Sequence, residues 1–358
     1  MRIKKALFLG TLCTAVSGMS LFAQAGVSYA KSAEKTTEAA SSEEAESEEE
    51  TSEEVTYPIT IEHAFGETVI ESKPERIATI GWENQDTPLA LGVAPVGVSA
   101  ANYGMVTDNN LHPWTDEAFA DLGVEKPVVF DDVDGLDFEQ ISDCNPDVIL
   151  AAYSGMTQED YDTLSQIAPV IPYKEKAWNT SWREQTIENA EGMGMKPEGE
   201  KKVKEVEDLI AEKLEEYPQL EGIPTAFCWI SADDFSTFYV YLPTDPRAAY
   251  LLDLGFTLPE SVQKLAGETD DFNITVSREN ADQLDDIQLM VVYGDEDLLK
   301  SLQEDKLMSQ IPAIKNGAVA LVDSTSALAG ACTPSILSIP YEIDEYLQLL
   351  SDAAENIK

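Results

Sequence analysis

Histidine and cysteine, the residues that most often bind metals or act as nucleophiles, are scarce in this chain. The 358 residues hold two histidines, His63 and His112, and four cysteines. None of the motifs G-x-S-x-G, H-E-x-x-H, C-x-x-C or G-x-x-x-x-G-K-[ST] occurs. Because a zinc or manganese site normally uses several imidazoles, the sequence predicts no bare-metal site. Because none of these motifs occurs, the sequence also carries no catalytic signature.

Two glutamates occur in similar contexts far apart in the chain. Glu139 lies in "GLDFEQISDCNPDVILAAYSG", ahead of an apolar run that ends in Tyr-Ser-Gly. Glu279 lies in "TVSRENADQLDDIQLMVVYG", ahead of a second apolar run that ends in Tyr-Gly. From the residues alone, each is best interpreted as a solvated acid in the first turn of a helix, where the helix dipole favours a negative charge.

The elements around these glutamates alternate between strand-like and helix-like patterns. "ITIEHAFGETVIES" predicts a β-hairpin, and "RIATIGW", "PVGVSA", "DVILAAY" and "PVIPY" predict strands. "NQDTPLALGV", "GLDFEQISD" and "TQEDYDTLSQIA" predict the intervening helices. The second half repeats this alternation with "TAFCWIS", "DPRAAYLLDLGF", "SRENADQL", "IQLMVVYG", "DLLKSLQE" and "GAVALVD" and closes on a helix, so we expect two α/β halves.

A single long helix is predicted between the halves. In "KPEGEKKVKEVEDLIAEKLEEYPQ", apolar residues recur at helical spacing, Pro197 is placed to start the helix and Pro218 to stop it. One helical crossing leaves a ligand cleft between two lobes. We therefore predict a lobe at residues 57–195, a connecting helix at 196–218 and a second lobe at 219–358.

The first 56 residues predict export. Residues 1–30 combine Arg2, Lys4 and Lys5 with an apolar stretch and small-residue cleavage sites, which is typical of a signal peptide. Cys13 lies inside that signal, but Leu12 stands where lipoprotein signals have a small residue, so lipidation of Cys13 is the less favoured alternative. Residues 31–56 are rich in Glu and poor in large apolar groups, and they predict a disordered acidic spacer.

Acidic residues dominate the folded part of the chain. The whole sequence has 67 acidic and 23 basic residues. Residues 57–358 retain 57 acidic and 18 basic residues, a net charge near −39, because the signal has 3 basic residues and the spacer has 2 basic and 10 acidic ones. Such a field repels phosphate backbones and anionic lipids, so we expect no nucleic-acid or membrane-surface binding. Removing Cys13 leaves three cysteines, an odd number that allows at most one disulfide, and buried free thiols are the expectation.

From residue 57 to the C-terminus, the sequence resembles the substrate-binding proteins of iron-siderophore ABC importers, the ferric-siderophore and cobalamin group. The resemblance rests on "ITIEHAFGETVIESKPERIATIGW", "LALGVAPVGV", "DFEQISDCNPDVILAAYSGMTQEDYDTLSQIAPVI", "VSRENADQLDDIQLMVVYG" and "IPAIKNGAVALVD", in that order. It implies the class III periplasmic-binding-protein fold, in which two α/β lobes are joined by one long helix with a ligand cleft between them. It also implies an exported monomer of the cell envelope that has no cofactor of its own and whose ligand is an iron-siderophore complex.

The resemblance gives the two glutamates a role. In this family, one glutamate on each lobe docks onto basic residues of the permease dimer, and the matching positions here are Glu139 and Glu279. A receptor with two lobes that meets a two-fold symmetric permease needs one anion on each lobe, which accounts for two similar sequences without catalysis.

A siderophore already surrounds its iron, so the protein needs aromatic faces and hydrogen-bond donors rather than metal ligands. Arg183 and Arg247 are the predicted donors, since Arg76 and Arg278 have more plausible structural roles. Aromatic candidates follow the strand ends, where α/β sheets present ligands. They are Trp82, Tyr103, Tyr153, Trp229 and Tyr241.

Two other functions are compatible with these residues. A haem or cobalamin receptor has the same fold, and a haem receptor would need an axial ligand such as Met105, Met156 or Tyr153. An enzyme that uses scattered carboxylates is the alternative from another class. Turnover of a substrate would distinguish the enzyme from a receptor that releases its ligand unchanged.

Overall fold

A computed structural model describes residues 55–132 and 135–358. The predicted signal at residues 1–30 and the predicted spacer up to residue 54 lie outside the described residues. The described chain contains two five-stranded sheets, each layered with helices, so the predicted α/β fold with two lobes is confirmed. Within this part of the chain, no helix has the length and hydrophobicity required to cross a bilayer.

The first lobe opens with the predicted hairpin and continues with a fully parallel sheet. The hairpin strands are β1 (Ile59–His63) and β2 (Gly66–Ile70). The sheet strands are β3 (Ile77–Thr79), β4 (Gly97–Ser99), β5 (Val129–Phe130), β6 (Val148–Ala151) and β7 (Val170–Pro172). They are ordered β5-β4-β3-β6-β7. Strands β3, β4, β6 and β7 are buried along their whole length, as expected for a parallel sheet covered on both faces.

Five helices cover this sheet. They are α1 (Asp86–Ala90), α2 (Pro113–Asp121), α3 (Phe138–Asp143), α4 (Gln158–Leu164) and α5 (Trp182–Gly192). Helices α4 and α5 each start with a capping box, formed by Thr157 with Asp160 and by Ser181 with Glu184. The sequence patterns did not predict α2 or α5, and both position residues of the site described below.

Helix α6 (Lys196–Leu214) follows α5 and leads to the second sheet. Its buried side chains include Val203, Val206 and Ile210, the predicted apolar face, and these residues join the core of the second lobe. The helix ends four residues before Pro218, which instead opens a 3₁₀ turn at Pro218–Leu220. The predicted division of the chain at residues 195 and 218 stays a prediction.

The second lobe is built on a mixed sheet. Its strands are β8 (Thr225–Trp229), β9 (Thr237–Tyr241), β10 (Asn273–Ser277), β11 (Leu289–Tyr293) and β12 (Val319–Val322), ordered β10-β9-β8-β11-β12. Strand β9 is antiparallel to both neighbours, whereas β8, β11 and β12 are parallel. Its helices are α7 (Pro246–Asp253), α8 (Glu260–Ala266), α9 (Glu296–Glu304), α10 (Pro312–Asn316), α11 (Ala327–Ala331) and α12 (Ser338–Ala354).

Two details of the second half refine the sequence interpretation. The segment "SRENADQL", predicted as a helix, forms a 3₁₀ helix at Arg278–Gln283 rather than an α-helix. Cys144, Cys228 and Cys332 are free thiols, and the last two are buried. Burial raises the pKa of all three thiols, which disfavours the reactive thiolate.

Candidate ligand-binding cleft

The carboxyl ends of the parallel strands in each lobe carry aromatic residues. Trp82 follows β3 and Tyr153 follows β6, the strand beside it. In the second lobe, Tyr293 ends β11 and Trp229 ends the neighbouring β8. Parallel strands bring such residues to one edge of the sheet, which is where α/β proteins bind ligands.

A cavity of about 330 Å³ lies between these edges. Both lobes contribute to its walls, and seven of its nine lining residues are aromatic or cationic. The lining residues are Trp82, Tyr103, Tyr153, Trp178, Asp245, Arg247, Phe272, Tyr293 and Thr333. Its volume falls within the ordinary range for small-molecule sites, and its mixture of aromatic walls and a few polar groups is typical of them.

Edge-to-face contacts hold the aromatic rings of this cavity. The Tyr103 and Tyr293 ring centroids are 5.3 Å apart, which joins a residue of the first lobe to one of the second. Tyr153 and Trp178 are 5.2 Å apart within the first lobe. Burial raises the pKa of Tyr103 to about 12 and also raises that of Tyr153 and Tyr293. These phenols are therefore neutral at physiological pH. The hydroxyls of Tyr103 and Tyr153 can donate a hydrogen bond to a ligand, whereas the Tyr293 hydroxyl donates to the carbonyl oxygen of Ala329 at 3.4 Å.

Arg247 is the cation of the cavity, and Asp245 holds it in place. Asp245 caps α7, and its carboxylate accepts hydrogen bonds from Arg247 Nε at 2.8 Å and Nη2 at 2.6 Å. The guanidinium also lies over the Tyr241 ring, 4.0 Å from its centroid. Burial is the largest single influence and would lower the pKa of Arg247, but the hydrogen bonds to Asp245 and the negative charge of that carboxylate together outweigh burial and leave the pKa raised. The bonds to Asp245 use the Nε hydrogen and one Nη2 hydrogen of the guanidinium. Its Nη1 hydrogens and the second Nη2 hydrogen remain available to Tyr293 and to a ligand.

A second cavity of about 270 Å³ adjoins the first and shares Trp82 and Trp178 with it. Its other walls come from the first lobe and include Asp132, Met156 and Asp160. Gly155 also lies here, directly against the Trp178 ring. A Cβ at that position would come 2.5 Å from Trp178 Nε1, so a glycine is required for the ring to stay where it is.

Four of the seven residues predicted to bind the ligand line the first cavity: Trp82, Tyr103, Tyr153 and Arg247. The other three lie outside both cavities. Tyr241 is buried beneath Arg247 and against Phe227, and Trp229 packs beside Tyr239 with 41% of its surface exposed.

Arg183 faces the helices rather than the cleft. Its Nε donates to Glu207 of α6 at 2.6 Å, and its Nη1 donates to Asp253 of α7 at 2.7 Å. The physical reason is its position in the first turn of α5, which packs on α6. Its charge is matched locally by two carboxylates, so we do not propose it as a ligand donor.

Sequence reasoning missed five residues of the first cavity: Trp178, Asp245, Phe272, Tyr293 and Thr333. Tyr293 could have been found, because it ends an apolar strand in "MVVYG" just as Tyr153 follows one in "VILAAY". Trp178 gave no such signal, because it lies in a loop and has a positive φ of 59°.

The two predicted docking glutamates are exposed, one in each lobe. Glu139 lies in the first turn of α3 behind the cap Asp137, and Glu279 lies in the 3₁₀ helix behind the cap Ser277. Their docking role stays a prediction. In residues 55–132 and 135–358, no three His, Cys, Asp or Glu side chains are grouped to hold a metal ion.

A protein-family model described as "Periplasmic binding protein" matches residues 77–325. The matched segment spans most of both lobes, including all strands of the two five-stranded sheets. The chain therefore belongs to the periplasmic binding protein family.

Solved structures and curated relatives show which members of the family this chain is similar to. The chain is 48% identical to Streptococcus pneumoniae TIGR4 PiaA in complex with ferrichrome, with a TM-score of 0.80, covering 84% of this chain and 100% of that one. A second structure of PiaA, described as an iron uptake ABC transporter substrate-binding protein, is 46% identical, with a TM-score of 0.77, and covers 83% and 100% of the two chains. In Bacillus subtilis, "Probable siderophore-binding lipoprotein YfiY" is 25% identical over 65% of this chain and 67% of its own length.

Proposed function

We propose that the cavity between Trp82, Tyr103, Tyr293 and Arg247 binds a ferric siderophore of the neutral hydroxamate type. The protein is an extracytoplasmic siderophore-binding receptor of ABC-type iron uptake. The charge of the cavity is the observation that favours a neutral hydroxamate as the ligand. Among the described residues that line the cavity, Arg247 is the one cation, and its pairing with Asp245 means that these residues offer donors without a net positive charge.

That charge balance distinguishes siderophore classes. A neutral trihydroxamate needs aromatic contact and a few donors to its chelate oxygens, and the cavity offers both. A trianionic tricatecholate would need excess positive charge, because desolvating an unpaired anion is costly. The ferrichrome bound to the PiaA relative supports the first class.

Titration of tryptophan fluorescence tests the proposal, since Trp82 and Trp178 form cavity walls. The probes are ferric ferrichrome, a ferric tricatecholate, haem and cobalamin. We expect saturable binding of one ferrichrome per protein and weaker binding of the other three. Tightest binding of haem or cobalamin would assign the cleft to the alternative ligands, and tightest binding of the tricatecholate would overturn the charge argument.

Delivery to the permease forms the second part of the proposal. We propose that Glu139 and Glu279 each contact basic residues of one subunit of a permease dimer, and that the receptor acts as an exported monomer. Glu139→Arg and Glu279→Arg should leave ferrichrome affinity unchanged and reduce uptake by cells, because like charges would face each other at the docking site. Glu159→Arg is the matched control, since Glu159 is an exposed first-turn acid of α4. Equal uptake by all three variants would refute the docking role.

A further inference from the structure

The loop at residues 100–112 carries Tyr103 from the first lobe onto the second. The backbone N–H of Met105 donates to the carbonyl oxygen of Ser326 at 2.9 Å. Gly104 has a φ of 76°, and a Cβ there would come 2.8 Å from the backbone nitrogen of Gly330 in α11. The two backbones therefore meet without a side chain between them, and the position of the loop decides where the Tyr103 ring lies in the cavity.

His112 supports this loop from behind the cavity. Its Nε2 lies 3.0 Å from the carbonyl oxygen of Tyr103, and its Nδ1 lies 3.2 Å from Glu83 Oε1. His112 is 2% exposed and Glu83 is 3% exposed. The imidazole also stacks on Trp114 at 4.5 Å and meets the edge of Trp82, a cavity wall, at 5.2 Å.

The acceptors around His112 fix its tautomer. A carbonyl oxygen can only accept, so the Nε2 atom of His112 must carry the hydrogen that is donated to Tyr103. The Nδ1 atom and the Glu83 carboxyl then share one further proton. Burial raises the pKa of Glu83 and lowers that of His112, and both shifts favour the neutral pair with the proton on Glu83.

A buried aspartate holds the surroundings of the pair. Asp86 accepts from Trp114 Nε1 at 2.9 Å and from Thr115 Oγ1 at 2.8 Å, both in α2. It also accepts from Ser335 Oγ of the second lobe at 2.5 Å. These bonds tie α1 and α2 to the second lobe, which leaves His112 little freedom to turn away from Tyr103.

The contact between Glu83 and His112 is close but poorly aligned. Both Glu83 oxygens and His112 Nδ1 are buried without a well-formed hydrogen bond. Buried polar groups are rarely left in this state, because an unpaired buried donor or acceptor is not compensated for the water that it has lost. Their presence beside a cavity wall points to a role other than stability.

We propose that His112 and Glu83 are positioning residues of the ligand site. His112 holds Tyr103 against the ligand through the Tyr103 carbonyl, and Glu83 keeps His112 in the tautomer that can donate to it. This inference rests on the proposed function of the cleft, and it adds two residues that do not themselves line the cavity.

A double-mutant cycle with ferric ferrichrome tests the positioning role. His112→Leu should weaken binding roughly three- to tenfold, as expected for one positioning hydrogen bond. His112→Gln, which can still donate to the carbonyl, should bind within about twofold of the wild type by the same reasoning. In a Tyr103→Ala background, His112→Leu should have no further effect. His63→Leu, which removes the other buried histidine, controls for general loss of packing. An unchanged affinity, or an equal loss in both backgrounds, would overturn the proposal.

A measurement without ligand separates this inference from the proposed function. Because the chain has only two histidines, ¹⁵N-histidine labelling of the wild-type protein gives two imidazole signals, which His63→Gln assigns. We expect His112 as a neutral Nε2–H tautomer across physiological pH, and a spectrum that Glu83→Gln leaves nearly unchanged. An Nδ1–H tautomer, or titration like that of a free imidazole, would overturn the positioning roles of His112 and Glu83 even if ferrichrome binds. If His112 has the expected tautomer but no chelate binds, the ligand assignment is refuted. The proposed effect of His112 on ligand binding is then refuted as well.

Discussion

Arg247→Met is the substitution that bears most directly on ligand recognition in the cleft. Arg247 supplies the charged donors of the cavity, and methionine keeps much of the side-chain length while removing every N–H. A hydrogen bond from a charged group contributes about 1.5–3 kcal/mol. Since 1.4 kcal/mol corresponds to a tenfold change in affinity, we expect ferrichrome to bind roughly 10- to 150-fold more weakly.

The same substitution leaves Asp245 buried without its partner, because the Asp245 side chain is only 3% exposed. Removing one member of a buried pair costs about 3–5 kcal/mol of stability, so thermal unfolding must be measured alongside binding. Combining Asp245→Asn with Arg247→Met removes both charges and should recover stability without recovering affinity.

Arg183→Met provides the matched control. Its two ion pairs are partly exposed, and such pairs contribute about 0–1 kcal/mol each, so both stability and ferrichrome affinity should change little. Isothermal titration of the variants with ferric ferrichrome gives the comparison. Wild-type affinity in Arg247→Met, or an equal loss in Arg183→Met, would refute the assignment of Arg247 as the ligand donor.

Three further predictions follow from the cleft and its surroundings. Burial raises the folded-state pKa of Glu83 above its ordinary value of 4.5. The protonated Glu83 carboxyl therefore makes its full contribution to protein stability below pH 4.5, and this contribution is lost as the pH rises through the folded-state pKa. Urea unfolding at several pH values should therefore show Glu83→Gln gaining stability over the wild type as pH rises; a constant difference would contradict a protonated Glu83. Gly155→Ala should displace the Trp178 ring and weaken ferrichrome binding with little change in melting temperature, and unchanged affinity would show that Trp178 is not a functional wall. Raising salt from 0.01 M to 0.1 M shortens the Debye length from about 30 Å to about 10 Å. The added salt screens the repulsion between the acidic protein and an anionic ligand, so it should strengthen binding of an anionic tricatecholate more than binding of ferrichrome. An equal change in affinity for both ligands would show that the net charge of the chain has no effect on binding.

Hydrophobic patterning predicted the fold because parallel strands are buried on both faces. The apolar runs of β6 and β11 and the helical spacing of Val203, Val206 and Ile210 depend only on local sequence. Helix α5 was missed because polar and charged residues dominate "WREQTIENAEG", and its start depends on the capping box of Ser181 and Glu184.

The cleft was only partly predictable, because its arginines are distinguished by distant partners. Arg183 and Arg247 both lie near aromatic residues in the sequence. The carboxylates that hold Arg183 away from the cleft, Glu207 and Asp253, are 24 and 70 residues away, and no local pattern indicates them. The contact between Glu83 and His112 likewise joins residues that are distant in the sequence and meet only in the folded protein.

The most direct test of siderophore binding in the cleft is a crystal structure of the protein with ferric ferrichrome, with anomalous scattering recorded at the iron edge. We expect one iron peak between the lobes, aromatic contact from Trp82 and Tyr293, and the Arg247 guanidinium within hydrogen-bond distance of the chelate oxygens. We also expect that no protein atom coordinates the iron. An iron peak outside the cleft, or iron held directly by a protein side chain, would refute siderophore binding in the cleft.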